Sequence, residues 1–468
     1  MPLGMSSTMT YAGHGRAVLT LGLPLVGGHV AQMAIGVTDT VMLGWYGVDA
    51  LAAVTLGGTY FFVLFLVGAG FAWAVMPLVA SFAADGNQTG IRRATRMGIW
   101  LVTAFALACL PLMIWSEPLL RLMGQGDALA SDAAEYLQVA GYGVLPALLV
   151  MVLKSYLAAL ERTRVVLVIT LFAVVANALA NYALIFGNWG APELGIVGAA
   201  TASVLTHTLS LLGVVIYAHV ALPEHRLFQR LWRGDAEMLN RVFRLGWPIG
   251  VTSLSETGLF AASALMMGWL GTVPLAAHGI AVQLASLTFM VHLGLSNVAT
   301  IRAGNAFGRG DREHMARGAG MVLIMSVAMA VLTIAAFLTW TEELILVFMQ
   351  ESEPQKAAIL SVGVGLLAMA ALFQLVDGTQ AVALGLLRGV QDTRVPMIMA
   401  AVSYWVIGIP CSYVLGFVLG WDGIGIWMGL VVGLAAASLL LNVRFWGVSL
   451  PRVGQAHAAH YEAAPEPT

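Results

Sequence analysis

Long apolar runs, separated by short polar or charged stretches, dominate the sequence. A helix needs about 20 mostly apolar residues to cross a bilayer, and twelve runs reach that length. They lie near 17–43, 52–83, 95–115, 134–159, 165–187, 195–220, 242–269, 275–301, 318–340, 358–387, 395–419 and 424–446. The pattern predicts an all-α integral membrane protein with twelve transmembrane helices.

The composition agrees with that prediction and narrows the function classes. Hydrophobic residues make up 59% of the 468 residues and charged residues 10%, against about 25% charged in a soluble domain. The net charge is −2, and without a basic tract we expect no nucleic-acid partner. The sequence also lacks a nucleophile, phosphate-loop or metal-ligand motif. It therefore predicts a protein that is not an enzyme and needs no cofactor.

Basic residues predict the orientation of the helices. When the loops are numbered alternately, one set holds 20 of the 22 Lys and Arg residues, and the other holds only Arg121 and Lys356. Lys and Arg concentrate in cytoplasmic loops. Both termini should therefore be cytoplasmic, in a plasma membrane or a bacterial inner membrane.

The sequence repeats itself. At an offset of 224 residues, the Leu-Gly-x-Pro motif of 21–24 matches 245–248, and the Gly-Trp-x-Gly motif of 44–47 matches 268–271. Further on the offset becomes 230, and the Thr-Arg-Val motif of 163–165 matches 393–395. Each repeat contains six spans, so both repeats enter the membrane from the same side. This predicts two pseudo-symmetric six-helix lobes with substrate sites near the bilayer midplane, where rocking of the lobes gives alternating access.

A charged stretch at 221–241 and a polar stretch after Pro451 set the domain limits. We assign an N-lobe to 1–220, a cytoplasmic linker to 221–241, a C-lobe to 242–450 and a polar cytoplasmic tail to 451–468.

Three acidic residues lie inside the spans instead of in loops: Asp39, Glu256 and Asp377. A charge at the bilayer centre costs at least about 2.5–3.5 kcal/mol. No Lys or Arg lies at comparable depth in the sequence pattern, so we expect none of the three to have a cationic partner. Such carboxylates must take up a proton or bind a metal ion, as cation-coupled transport requires. The alternative is a structural carboxyl group that is hydrogen-bonded between helices.

Neutral polar residues accompany these acids. Gln374 and Gln380 flank Asp377 at i−3 and i+3, and Gln32 lies two helical turns before Asp39 on the same face. The predicted polar lining comprises Gln32, Asn177, Asn181, Gln283, Gln374 and Gln380. Hydrogen bonding between helices is the alternative for Asn177, Asn181 and Gln283. Packing or hydrogen bonding is expected for the histidines in the spans: His29, His207, His278 and His292.

Several motifs together resemble the multidrug and toxic compound extrusion (MATE) family, and within it the NorM-type branch. They are VTDTVMLG at 37–44, LAAH at 275–278, LRGVQDT at 387–393 and GAPELG at 190–195. The resemblance implies an antiporter that exports cationic or amphipathic organic compounds in exchange for Na⁺ or H⁺. It also implies cation-coupling roles for Asp39, Glu256 and Asp377, with Glu256 and Asp377 as ligands if the ion is Na⁺.

Three other functions compete with this one. A flippase for lipid-linked oligosaccharides, from the same superfamily, would favour Lys or Arg in the lumen, and an enzyme would need a catalytic constellation. A channel would not need two repeated lobes with unpaired acids. As partners we expect small-molecule drugs, organic cations and membrane lipid, with the protein acting as a monomer.

The predicted topology can be tested with single cysteines at Gly126 and Gly234, which fall in loops of opposite sets. An impermeant thiol reagent should label the Gly126→Cys variant from the periplasmic side and the Gly234→Cys variant from the cytoplasmic side. Labelling of both from the same side would refute the twelve-span topology.

Overall fold

The computed structural model describes residues 9–350 and 353–454, and in them it contains helices and no strands. The first nine helices are α1 (Tyr11–Tyr46), α2 (Val48–Ala84), α3 (Gln88–Ile114), α4 (Ser116–Leu122), α5 (Asp127–Ala159), α6 (Thr163–Phe186), α7 (Gly195–Ala221), α8 (Ala236–Leu270) and α9 (Thr272–Gly308). The remainder are α10 (Arg312–Thr339), α11 (Thr341–Leu346), α12 (Lys356–Gly389), α13 (Arg394–Ala401), α14 (Ile409–Tyr413) and α15 (Asp422–Arg444).

Twelve helical segments of the described chain are long and apolar enough to cross a membrane. The eleventh, Arg394–Val418, joins α13 and α14 through π-helical turns at Val402–Gly408 and Val414–Val418. The short α4 and α11 do not span. The all-α, twelve-helix prediction is confirmed.

The helices pack into two compact units. The N-terminal unit runs from Gly27 to Val251, and the C-terminal unit combines the residues before Gly27 with those from Thr252 onward. The helices α1 and α8 are therefore each divided between the units, and each contains a proline, Pro24 or Pro248, shortly before its dividing point. The domain limits drawn from the sequence stay a prediction, and tail residues 455–468 lie outside the described residues.

Glycines allow helices to approach closely at equivalent places of the two repeats. A side-chain carbon added at Gly70 in α2 would collide with the backbone of Gly246 and Gly250 in α8. At the repeat-equivalent Gly294 in α9, an added carbon would collide with Val26 in α1. Small residues permit such backbone approach in membrane bundles, where packing drives helix association.

The charged stretch before α8 is held against α3. The Arg93 guanidinium forms an ion pair with Asp235, and this contact lowers the pKa of that carboxyl group. Trp100 Nε1 donates to the Leu231 carbonyl at 2.7 Å, and Arg96 donates to the carbonyls of Arg226 and Leu227 at 3.0 and 2.9 Å. These bonds fix the segment to the N-terminal unit.

The glycine contact generates a stability prediction. Gly70→Ala should destabilise the protein by about 1–3 kcal/mol, because the added methyl group would collide with backbone atoms of α8 and the helices would have to move apart. The matched control is Gly58→Ala in the same helix, where an added carbon meets nothing within 4 Å. This control should be neutral or stabilising by up to about 1 kcal/mol. Equal thermal unfolding midpoints for both variants in detergent would contradict the close approach.

Candidate functional site

Two of the three predicted acids lie together in the C-terminal unit. Glu256 comes from α8 and Asp377 from α12, and their charges interact electrostatically. Both also interact with Tyr404, a fully buried side chain on the π-helical segment after α13. Two carboxyl groups in one low-dielectric site repel when both are ionised, so together they attract a cation.

The polar face of α12 carries oxygen atoms without hydrogen-bond donors. Gln374 and Gln380 are fully buried and Asp377 is 3% exposed. Within the described chain, Gln374 Oε1, Asp377 Oδ1 and Gln380 Oε1 are all buried without a partner. The amide nitrogens of both glutamines form hydrogen bonds. Gln380 Nε2 donates to the Tyr404 hydroxyl at 2.5 Å, and Gln374 Nε2 donates to the Ala285 carbonyl at 3.5 Å.

This arrangement has a chemical consequence. Buried polar atoms without partners are rare because each costs free energy. Three unsatisfied oxygens at i, i+3 and i+6 present acceptors to one face of the helix. Hard cations such as Na⁺ prefer oxygen ligands, and a proton on Asp377 would also provide a donor. The described residues hold no group of three His, Cys, Asp or Glu side chains able to bind a metal ion, so amide and hydroxyl oxygens would complete such a site.

The expectation that the three acids have no cationic partner stays a prediction, but Glu256 has a positive charge in its wider surroundings. Arg388, in the last turn of α12, interacts electrostatically with Glu256 and with Tyr404. No ion pair within 4 Å joins Arg388 to Glu256 among the described residues. The sequence pattern placed Arg388 in a loop because the apolar run ends at residue 387, but α12 continues to Gly389.

The third acid lies in a separate cluster of the N-terminal unit. Asn181 Nδ2 donates to Asp39 Oδ1 at 2.5 Å and to Asn177 Oδ1 at 3.2 Å. Both asparagines in α6 are fully buried. The Tyr136 side chain of α5 interacts electrostatically with Asp39. Asp39 and two residues of the predicted polar lining, Asn177 and Asn181, therefore lie together, and Tyr136 is near them.

Two of the predicted lining residues lie apart from these clusters. Gln32 in α1 and Gln283 in α9 are exposed, and neither forms a hydrogen bond with another described side chain or backbone group. The histidines at 278 and 292 have structural partners. Trp427 Nε1 donates to His278 Nδ1 at 3.1 Å, and His292 Nδ1 lies 2.9 Å from Ser326 Oγ.

Comparison with known proteins identifies the family. The MatE family model matches two segments, residues 24–183 and 248–414, whose first residues are 224 apart, as the repeat requires. The chain belongs to the MATE family. Members of this family are transporters, so this MATE protein is a membrane transporter and not an enzyme.

Curated relatives agree over nearly the whole chain. The chain is 44% identical over 448 residues to a probable multidrug resistance protein NorM of Rhizobium meliloti (strain 1021), covering 95% of this chain and 96% of the relative. Its identity to the probable NorM protein of Agrobacterium fabrum (strain C58 / ATCC 33970) is 42%, over 94% and 95% of the two chains. These relatives confirm the NorM-type resemblance.

Solved structures share the fold. The crystal structure of the eukaryotic MATE transporter AtDTX14 has a TM-score of 0.84 at 17% identity, covering 95% of this chain and 99% of that one. The crystal structure of a MATE in the straight conformation also gives 0.84, at 18% identity, with coverages of 94% and 97%. At this identity the likeness supports the two-lobe fold alone.

Sequence reasoning missed Tyr136, Tyr404 and Arg388. The two tyrosines lie in apolar runs, where an aromatic residue is ordinary. Tyr404 lies 24 residues after its hydrogen-bond partner Gln380, on a different helix. Arg388 did carry a signal, because it lies 11 residues after Asp377 on the same helix.

Proposed function

We propose that this MATE protein is a secondary active antiporter that exports cationic or amphipathic organic compounds in exchange for Na⁺ or H⁺ by alternating access. The curated relatives carry the name multidrug resistance protein, which supports the substrate class. That name also favours drug export over the flipping of lipid-linked oligosaccharides.

The coupling site that we propose is the acid cluster of Glu256 and Asp377. The observation that carries this proposal is the set of three buried oxygens on α12 without hydrogen-bond donors. A proton on Asp377 supplies a donor there, and Na⁺ accepts electron pairs from the same oxygens. Either cation also relieves the repulsion between the two carboxylates.

Competition for the negative field of Glu256 and Asp377 couples cation entry to drug export. A cationic drug and the coupling cation are attracted by the same carboxylates, so binding of one weakens binding of the other. By linkage, the reduction in affinity is equal in both directions. Entry of Na⁺ or H⁺ therefore promotes release of the drug, and departure of the cation restores the drug site.

Asp39 plays an assisting role in this proposal. Its carboxylate already accepts a hydrogen bond from Asn181 and has two neutral asparagines beside it. With a single carboxylate, the field of this N-terminal cluster is weaker than that of the pair in the C-terminal unit. It can attract a cationic drug without holding the coupling ion strongly.

The coupling proposal predicts a graded effect of neutral replacements. Glu256→Gln and Asp377→Asn should largely abolish gradient-driven ethidium efflux from reconstituted vesicles, because both remove an ionisable group and keep its size. Asp39→Asn should give an intermediate defect, and Asn181→Ala a smaller one. Each variant is measured under an imposed Na⁺ gradient and then under an imposed H⁺ gradient.

Asp49→Asn is the matched control, because Asp49 is an exposed acid in the first turn of α2. It should transport at wild-type rates. Normal responses of Asp377→Asn to both gradients would remove Asp377 from the mechanism and transfer the coupling role to Asp39. Wild-type efflux by Glu256→Gln would show that Glu256 is structural.

A second prediction concerns the positive charge near Glu256. Arg388→Gln should make the field at the acid pair more negative, so the cation concentration for half-maximal drug release should fall roughly two- to tenfold. Arg388→Lys should behave as wild type. The control is Arg394→Gln, at the exposed start of α13. A higher cation requirement in Arg388→Gln than in the Arg394→Gln control would contradict this role.

A further inference from the structure

The N-terminal unit contains a second polar cluster, of the opposite charge. Lys154, five residues before the end of α5, donates a hydrogen bond from Nζ to Thr170 Oγ1 of α6 at 2.9 Å. Its ammonium group interacts electrostatically with His29 of α1 and with His207 of α7. We call these four residues the Lys154 cluster. Four helices of one unit contribute to it. Lys154 lies within α5, although the count of basic residues assigned it to the loops.

Lys154 lacks a counter-ion in the part of the chain that the structure describes. No ion pair there includes it, and its hydrogen bond to Thr170 uses one of three ammonium donors. The Thr170 hydroxyl donates its own proton to the Val166 carbonyl at 2.8 Å, so it can only accept from Lys154. Lys154 is partly exposed and lies within a helix of the membrane bundle. An ionisable residue in such a place indicates a functional site.

The repeat shows that the fold itself does not require this cluster. At the offsets of 224 and 230 residues, the positions equivalent to His29, Lys154, Thr170 and His207 are Ser253, Leu384, Ala400 and Ala437. None of these four counterparts carries an ionisable group. A polar contact needed to assemble six helices would be expected in both repeats. The cluster therefore serves the N-terminal unit alone.

Helix α1 connects the cluster with Asp39. His29, Gln32 and Asp39 follow one another along that helix, and His29 and Asp39 are about 15 Å apart along its axis. Gln32, between them, is exposed. A side-chain carbon added at Gly28 or Gly36 would meet no atom within 4 Å. The helix thus presents open space, with a carboxylate near one end and an ammonium group near the other.

We propose that the Lys154 cluster binds the carboxylate of cargo that also carries a cationic centre. Lys154 donates the charge-assisted hydrogen bond, Thr170 holds the ammonium group in position, and His29 and His207 line the site. The cationic centre of the same molecule lies toward Asp39. This inference rests on the proposed export function and assigns a site to the carboxylate of zwitterionic cargo whose charges are separated by about 15 Å or less.

A pair of dyes that differ in one group provides the test. Tetramethylrhodamine methyl ester is a cation, and the corresponding free acid is a zwitterion with the same ring system. Binding of each dye to the purified full-length protein is measured by fluorescence anisotropy. Lys154→Gln should weaken binding of the free acid about tenfold or more, since a hydrogen bond to a charged group is lost. Binding of the ester should stay within about twofold of wild type.

Three variants control this measurement. Lys154→Arg keeps the charge and should retain most of the affinity for the free acid. Arg164→Gln removes an exposed positive charge from the same unit and should change neither affinity. Thr170→Val removes the acceptor that positions Lys154, so it should weaken free-acid binding alone. If Lys154→Gln unfolds, the wild type, Lys154→Arg and Thr170→Val still decide the outcome.

The possible results separate this inference from the proposed function. If Lys154→Gln lost the same binding affinity for both dyes, the lysine would be structural. If it lost affinity for neither dye, Lys154 would not belong to the binding site. A wild-type protein that binds the ester and not the free acid would overturn the inference and leave cation export standing. If the wild type bound neither dye, both this inference and the proposed export of cations would be contradicted. If replacing chloride by gluconate abolished the lysine effect, the cluster would be a site for a free anion instead.

Discussion

The cost of burying a charge in a bilayer governs the chemistry of this protein. The apolar spans leave little polar solvent around Asp39, Glu256 and Asp377, so each carboxyl group depends on what the helices place beside it. Asp39 has two asparagines, one of which donates a hydrogen bond to it. The carboxyl groups of Glu256 and Asp377 interact with one another and with Tyr404, and Glu256 also interacts with the more distant charge of Arg388. Beside this pair lie three buried oxygens without a hydrogen-bond donor, which is why we propose it as the stronger attractor of an external cation.

Polar groups can converge because the helices that carry them pack closely. In both repeats, a glycine of the second helix allows the backbone of another helix to approach: Gly70 against α8 and Gly294 against α1. Neither glycine contact contains a polar side chain, so the close approach at these two points rests on packing. The repeat reproduces this framework in both halves and varies the polar residues on it. One unit carries the acid pair, and the other carries Asp39 and the Lys154 cluster.

The sequence predicted the framework better than the sites. Twelve apolar runs and a 224-residue offset were sufficient for the fold, because span length and repeat spacing are properties of the chain alone. The acids were found for the same reason, since a carboxylate in an apolar run is conspicuous. Tyr404 and Tyr136 were missed because their roles depend on contacts between helices. Arg388 was missed because it falls just outside the apolar run that ends at residue 387, and Lys154 was missed because it was counted with the basic residues of the loops.

In our proposal, drug and coupling cation compete at the acid pair of the C-terminal unit. The most direct measurement is equilibrium binding of radiolabelled tetraphenylphosphonium to purified protein, over a series of Na⁺ concentrations and a series of pH values. At least one of these cations should displace the label competitively from the wild type and from Asp39→Asn. Asp377→Asn should lose that displacement. Undiminished displacement in Asp377→Asn, with loss in Asp39→Asn, would show that competition takes place at Asp39 instead of at the acid pair.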